Sequence, residues 1–213
     1  MENAVIIVHS PIGIVNRALK RLLDVVGSLV GTALFFLIYF PLALIIKFDS
    51  KGPVLFRQTR IGRDGQPFVC FKFRTMHVNA EAELDRLIDI DALAEPMFKL
   101  ENDPRVTYIG RLLRRWSIDE IPQFWNVLRG DMSLVGPRPE ESRLVAKYNS
   151  RQRQRLAVRP GLSGPMQIRG RGNLSMSKRL ELELEYIENY SLRKDIAILL
   201  ETLPAVLRGE GAR

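Results

Sequence analysis

A chain of 213 residues, 46% of them hydrophobic, carries enough apolar mass for one large domain, which argues against disorder as its ground state. Its 32 Lys and Arg outnumber 24 Asp and Glu, and the resulting charge of +8 points to an anionic partner: nucleic acid, a membrane surface or a phosphorylated substrate. The single Cys70 excludes an internal disulfide framework, and with only His9 and His77 beside it there is no ligand set for zinc.

The first element in chain order is a run of 22 residues without formal charge, Val25 to Ile46. It is long enough to cross a hydrocarbon core of about 30 Å as a helix. Arg17, Lys20 and Arg21 precede it, and Lys47, Lys51, Arg57, Arg60 and Arg63 follow it. Positive charge favours the cytoplasmic side, so a spanning helix leaves one cluster on the wrong face. A helix that enters, breaks and returns keeps both in the cytoplasm. Pro41 is the natural break, since it has no N–H to donate to the carbonyl of Leu37. From hydropathy alone an ordinary spanning anchor with a tolerated proline is the plainer reading, and a buried core helix of a soluble protein is a third, disfavoured by the length of the run.

After a Gly52-Pro53 turn, VLFRQTRIG and FVCFKFRTM read as two strands joined at Arg63-Asp64-Gly65, a short ribbon with a basic edge. Ala80 to Ala94 reads as an acidic amphipathic helix, closed by Pro96. Arg111–Trp116, Ile118–Leu128 and Glu140–Ala157 read as further helices, and RPGLSGPMQIRGRGN as loop. LELELEY alternates like a strand, but Glu and Leu favour helix and no β-branched residue interrupts it, so helix is expected. Asp195 to Arg208 predicts a last amphipathic helix stopped by Gly209, packed on the core or lying on a membrane surface.

The segment Ser117 to Pro139 carries the chemistry. Asp119 and Glu120 stand together at an expected helix start, with either Ser117 or Asp119 as its cap. There the helix dipole favours an ionised Asp119. Capping alone accounts for such a pair. Arg111, Arg114 and Arg115 just before it, and Arg138 between two prolines just after, add a second possibility: guanidinium groups grip a diphosphate while magnesium bridges it to the carboxylates. An aspartate so placed can also attack phosphorus and form an acyl phosphate.

KRLLD from Lys20, GPVLFRQTRIG from Gly52, FKFRTM from Phe71, NDPRVTYIGRLLRRWSIDEIPQFWNVLRGDMSLVGPRP and VRPGLSGPMQIRGRGN together resemble the bacterial sugar transferases, small monotopic phosphoglycosyl transferases acting on polyprenyl phosphate. The resemblance runs from about Arg17 to the C-terminus. It implies transfer of a sugar 1-phosphate from a UDP-sugar to undecaprenyl phosphate with release of UMP, as an early step in making a bacterial glycoconjugate. It also implies an Asp-Glu dyad, Asp119 as nucleophile and Glu120 as helper, working with Mg2+. Lys72, Arg74, Arg114 and Arg138 fall in motifs that contact phosphate or nucleotide, with Arg159 and Arg171 as further candidates. The PMFKLENDPRVT lead-in resembles the hexose-handling branch, galactose or glucose.

The implied fold is α+β and mostly helical. It has an extension at 1–16, a re-entrant helix-break-helix at 17–48, and a compact cytosolic domain at 49–213 with a β-hairpin and amphipathic membrane-surface helices. The expected place is the cytoplasmic face of the bacterial inner membrane. Expected partners are the UDP-sugar, undecaprenyl phosphate, membrane lipids and a second copy of the chain, but not nucleic acid. One departure stands out: Phe36-Leu37 occupies the position where a Ser-Pro break is expected, leaving Phe40-Pro41 to do that work. About 16 residues precede the first motif, as in a minimal member or a fragment of a longer one. The rivals are a membrane-anchored nucleic-acid binder, disfavoured because aromatic residues are not interleaved with the basic runs, and a scaffold without turnover.

Overall fold

The computed structural model describes residues 13–98, 100, 102–170 and 174–209. It is α+β and mostly helical, as expected, with one long apolar helix, α1 (Ile14–Asp49), along one side. The hairpin is β1 (Leu55–Ile61) against β2 (Pro67–Phe73), antiparallel with Leu55 opposite Phe73. Asp64 and Gly65 both take positive φ in its turn, the conformation that Asp and Gly reach most cheaply.

Helix α1 departs from expectation: it stays helical through Pro41, so the break at Phe40-Pro41 is not found. Proline in a helix interior forfeits one bond and costs about 3 kcal/mol. Contacts on both sides offset that cost here, because Phe35, Ile38, Tyr39 and Leu42 all pack on the cluster of Ile46, Phe73 and Leu113. The same domain also holds both ends of the helix. Near the start, Lys20 Nζ donates to the Val135 carbonyl at 2.9 Å, and Arg21 donates to the Val127 and Leu128 carbonyls at 2.8 and 2.7 Å. At the far end, Arg74 donates to the Ser50 carbonyl at 2.8 Å and Asp49 accepts from the Ile109 amide at 3.2 Å. The inner stripe is small and polar, with Asp24, Ser28, Gly31, Thr32 and Ile46 buried. The outer stripe exposes Leu22, Val30, Phe36, Leu37, Phe40 and Phe48.

Several helices are shorter than their periodicity predicts, because local side chains end them. α2 (Ala80–Leu87) stops early: the Asp89 carboxylate accepts from the Asp91 and Ala92 amides and offers the chain a turn. The expected helix at Glu140–Ala157 divides into β4 (Glu140–Glu141) beside β1, α5 (Ser142–Ala146), α6 (Ser150–Arg153) and a 3-10 turn. Asn149 makes the division, forming a reciprocal capping box with Gln152. The glycine-rich loop hides a strand, β5 (Gly161–Ser163), which runs parallel to β3 (Ser133–Val135) and leads into α7 (Pro165–Ile168). α8 (Met176–Glu188) confirms LELELEY as helix, and α9 (Leu192–Arg208) ends at Gly209 with φ of 65°.

α9 packs on the core by one face and leaves the other apolar and exposed. Ile198 and Leu199 join the main core with Val127, Met132, Val135 and Leu184. Ile196, Leu200, Leu203 and Leu207 stay exposed. Tyr108, Leu112 and Trp116 of α3 (Tyr108–Arg115) and its C-cap, with Trp125 of α4 (Gln123–Arg129), are also exposed apolar residues, on elements packed against α1.

The loop before α3 is tied by Asp103, which accepts three bonds from Arg105 at 2.7 to 3.0 Å. Those bonds, chiefly from the Arg105 side chain, hold its pKa below the ordinary 3.8. A lowered carboxyl pKa stabilises the fold above the unfolded value and loses that contribution as pH falls through the folded one. Asp103→Asn is therefore expected to lower the thermal midpoint at pH 7 and to converge with the parent only as pH falls from 3.8 through the lowered folded value, in paired melts across pH.

Candidate active site

Asp119 and Glu120 lie in a 3-10 turn, Ile118–Glu120, and not in the first turn of a longer helix. Ser117 precedes them in the left-handed region at φ 55° and makes no side-chain cap, and α4 starts after Pro122 with no capping side chain. Neither expected cap is formed. Pro122 has no amide to place in the turn, and the Phe124 and Trp125 amides reach back three residues to the Ile121 and Pro122 carbonyls. The pair is thus free of capping duty.

Three elements converge on it. Asn126 of α4, fully buried, accepts from the Phe71 amide at 3.1 Å and donates to the Val69 carbonyl at 2.6 Å, fixing β2 beside the dyad. Lys72, next along β2, then donates from Nζ to Glu120 Oε1 at 2.8 Å. Arg138, from the loop after β3, donates to the same oxygen at 2.9 Å. Arg114 of α3 is anchored by its Nε on Thr75 Oγ1 at 2.9 Å and lies within the field of Asp119.

The two carboxyls are driven apart electrostatically. Burial raises both, but on Glu120 the Arg138 and Lys72 charges outweigh it and hold the group well below the usual carboxylate range. For Asp119, only 6% exposed, burial wins over Lys72, with Glu120 adding to the rise. The expectation that the helix dipole favours the ionised form is therefore corrected: desolvation dominates. Paired groups pushed in opposite directions mark divided chemical roles.

Lys72, Arg114, Asp119, Glu120 and Arg138 share one open cleft, whose lining also includes the apolar residues Leu162, Met166 and Leu199. The other expected contacts fare differently. Arg74 lines the cleft, but it is buried and its guanidinium is bound to Ser50 Oγ and to the Ser50 and Pro53 carbonyls. Its work is to fasten the end of α1 to β2, because burial demands acceptors and that linker supplies three. Arg159 sits beside Arg21 and Gly130, away from the dyad. Arg171 lies outside the described residues.

The described residues contain no cluster of three or more His, Cys, Asp or Glu fit to hold a metal alone. Magnesium needs only one or two carboxylates when phosphate oxygens complete its shell. The dyad fits that demand: Oε1 of Glu120 is occupied by two cations, while no side chain among the described residues hydrogen-bonds Oε2 or the Asp119 carboxylate.

The bacterial sugar transferase family model matches residues 15–209. Among curated proteins the chain is 45% identical over 195 residues to the galactosyl transferase CpsE of Streptococcus agalactiae, covering 91% of this chain and 43% of that protein. It is 44% identical over 201 residues to the UDP-glucose:undecaprenyl-phosphate glucose-1-phosphate transferase of Caulobacter vibrioides, covering 91% and 71%. It is 40% identical over 197 residues to the exopolysaccharide production protein ExoY of Rhizobium meliloti, covering 91% and 87%. The chain thus spans less than half of CpsE and most of ExoY. With the dyad, its three cations and all but the first residue of α1 inside the matched stretch, the chain belongs to the bacterial sugar transferase family.

Proposed function

We propose that this protein transfers a sugar 1-phosphate from a UDP-sugar to undecaprenyl phosphate, with Asp119 as nucleophile. The observation that supports it most is the divided dyad: one carboxylate saturated by Lys72 and Arg138, the other buried beside it without a side-chain partner among the described residues. An Asp119 oxygen attacks the phosphorus bonded to the sugar. The bond from that phosphorus to the bridging oxygen breaks, and UMP leaves with the electron pair. A phosphate oxygen of undecaprenyl phosphate then attacks the acyl phosphate and restores the Asp119 carboxylate. Chemistry of this kind depends on positioning and charge neutralisation. Arg114 and Lys72 favour the anionic Asp119, and Arg138 orients Glu120. Magnesium held by Asp119 and Glu120 would neutralise charge developing on the phosphate oxygens.

The substrate reading also draws on the relatives, named for galactose and glucose transfer, so a hexose is the first candidate sugar. A panel of UDP-sugars, with magnesium and undecaprenyl phosphate, is expected to yield UMP from one of them. No UMP from any sugar, with steeply salt-dependent binding to nucleic acid, would favour the basic-binder reading instead.

The reading of the place of action draws on α1. Both its ends are tied to one domain, so a helix standing across a bilayer would drag that domain into lipid. The reading that fits is monotopic: the outer stripe faces lipid, flanked by the exposed faces of α3 and α9, and the domain stays on the cytoplasmic side. Single cysteines introduced at positions 14 and 51 are expected to react with an impermeant maleimide only in inside-out vesicles. Labelling of the two from opposite sides would refute this arrangement.

A further inference from the structure

Arg138 reaches Glu120 from a tripeptide, Pro137-Arg138-Pro139, whose backbone is gripped at every polar atom. The Gly161 amide donates to the Pro137 carbonyl at 2.7 Å, and Arg60 donates to the Pro139 carbonyl at 3.3 Å. Between them, the Arg138 amide donates to Glu183 Oε1 at 3.1 Å, and Arg155 donates to the Arg138 carbonyl at 3.1 Å. The two residues holding Arg138 also hold one another: Arg155 donates to Glu183 Oε1 at 2.9 Å and lies 2.8 Å from its Oε2.

Both groups are deep in the protein, Glu183 at 0% exposure and Arg155 at 3%. Tyr148 shares the Arg155 guanidinium through its hydroxyl, and Glu140, itself bonded by Arg179 at 2.9 Å, lies 3.7 Å away. Stability alone is a poor reason for such a pair, since well-packed apolar residues of similar volume are often equal or better. What the pair does supply is direction: a fixed acceptor for the amide and a fixed donor for the carbonyl of one residue, in the two peptide units that flank its Cα. Proline on either side removes two φ freedoms, so those bonds leave the Arg138 side chain little choice of origin.

We propose that Glu183 and Arg155 are positioning residues for the reaction: they aim the Arg138 guanidinium at Glu120 without touching substrate. The proposal rests on the phosphoglycosyl transfer reading of the dyad. It adds residues from α8 and from the 3-10 turn after α6, both remote in sequence from the Asp-Glu pair.

The test has two arms. Prolines carry no amide hydrogen, so Arg138 provides the tripeptide's single exchangeable one, and its exchange reports the grip directly. Glu183→Gln is expected to speed that exchange about tenfold while other core amides stay protected. It is also expected to lower kcat about tenfold and change KM for the UDP-sugar less than about threefold. In an Arg138→Ala background the same substitution should cost less than about threefold, because residues acting through one another are not additive. Arg155→Lys, which keeps the charge but loses the second donor, is expected to repeat both results and stands in if Glu183→Gln does not fold. Unchanged exchange at Arg138, or an equal loss of kcat in both backgrounds, would overturn the proposal. A wild type that releases no UMP from any UDP-sugar sinks the transfer reading and the catalytic claim with it, while the exchange arm still decides whether the grip exists.

Discussion

Asp119→Asn is expected to abolish turnover, by about a thousandfold or more, while raising the thermal midpoint. Asparagine matches aspartate in shape, so the 3-10 turn and the neighbouring cations keep their places. Its carboxamide oxygen is too poor a nucleophile to form the acyl phosphate. The stability gain has a separate cause. Asp119 is almost wholly buried, burial raises its pKa above the ordinary 3.8, and holding its charged form at pH 7 works against the fold. For a raised carboxyl the sign runs so that stability falls as pH climbs from the unfolded value through the folded one. A neutral side chain escapes that loss. Rapid quench with labelled UDP-sugar should trap a phosphosugar adduct in wild type and none in the variant. Undiminished turnover in Asp119→Asn, or a wild type without adduct, would remove the nucleophile role. Opposite movement of activity and stability is what a site built at the expense of the fold produces.

The second large effect is expected at Gly161→Ala. A β-carbon there would overlap the Gly136 backbone nitrogen and the Ser163 carbonyl oxygen, and would sit 2.6 Å from the Gly136 carbonyl oxygen. These are backbone atoms of the β3–β5 pair and cannot rotate aside as a side chain can. Overpacking in a tight core costs about 1–3 kcal/mol, and this contact belongs at the upper end. For a chain of this size that is a fall of roughly 6–12 °C in the midpoint. Activity should fall further than stability, because the Gly161 amide also holds the Pro137 carbonyl, one residue from Arg138. A midpoint within 2 °C of wild type, measured by calorimetry as an order-of-magnitude threshold, would show that the two loops separate easily.

Sequence periodicity made some of this architecture legible and left other parts hidden for definite reasons. The hairpin, α8 and α9 declare themselves because alternation and 3.6-residue spacing persist over seven residues or more. β3 and β5 have three residues each, too few for any period, and their pairing is parallel and distant. The ends of α2 and α6 were set by Asp89 and Asn149, whose side chains compete locally with the backbone. Asp119, Glu120, Lys72, Arg114 and Arg138 were all named from the sequence, and the fold brings them together. Arg74 was expected at phosphate because its motif resembles the family's, and a motif does not show that its guanidinium is engaged by Ser50 and Pro53. Glu183 and Arg155 lie in stretches whose helical reading says nothing of which charged side chains turn inward. The signal that could have found Glu183 is its phase: it lies three residues after Leu180 and four before Ile187, on the same face as the apolar stripe of α8.

The two stripes of α1 are answerable to different neighbours, and so to different evolutionary pressures. The monotopic arrangement proposed above puts only lipid against the outer stripe, so Leu22, Val30, Phe36, Leu37 and Phe40 would be open to exchange among themselves. On the inner stripe, Gly31 stands where any side chain would meet the Phe124 ring, and Gly27 where it would meet Leu134. Those positions are closed to growth. The helix is also no detachable tether. A chain begun after Ser50 would uncover Phe73, Leu113, Phe124 and Leu134 together, and would precipitate instead of yielding a soluble catalytic domain. Under the monotopic arrangement proposed above, extraction of this protein must replace lipid on one face of α1 and leave the other face in place.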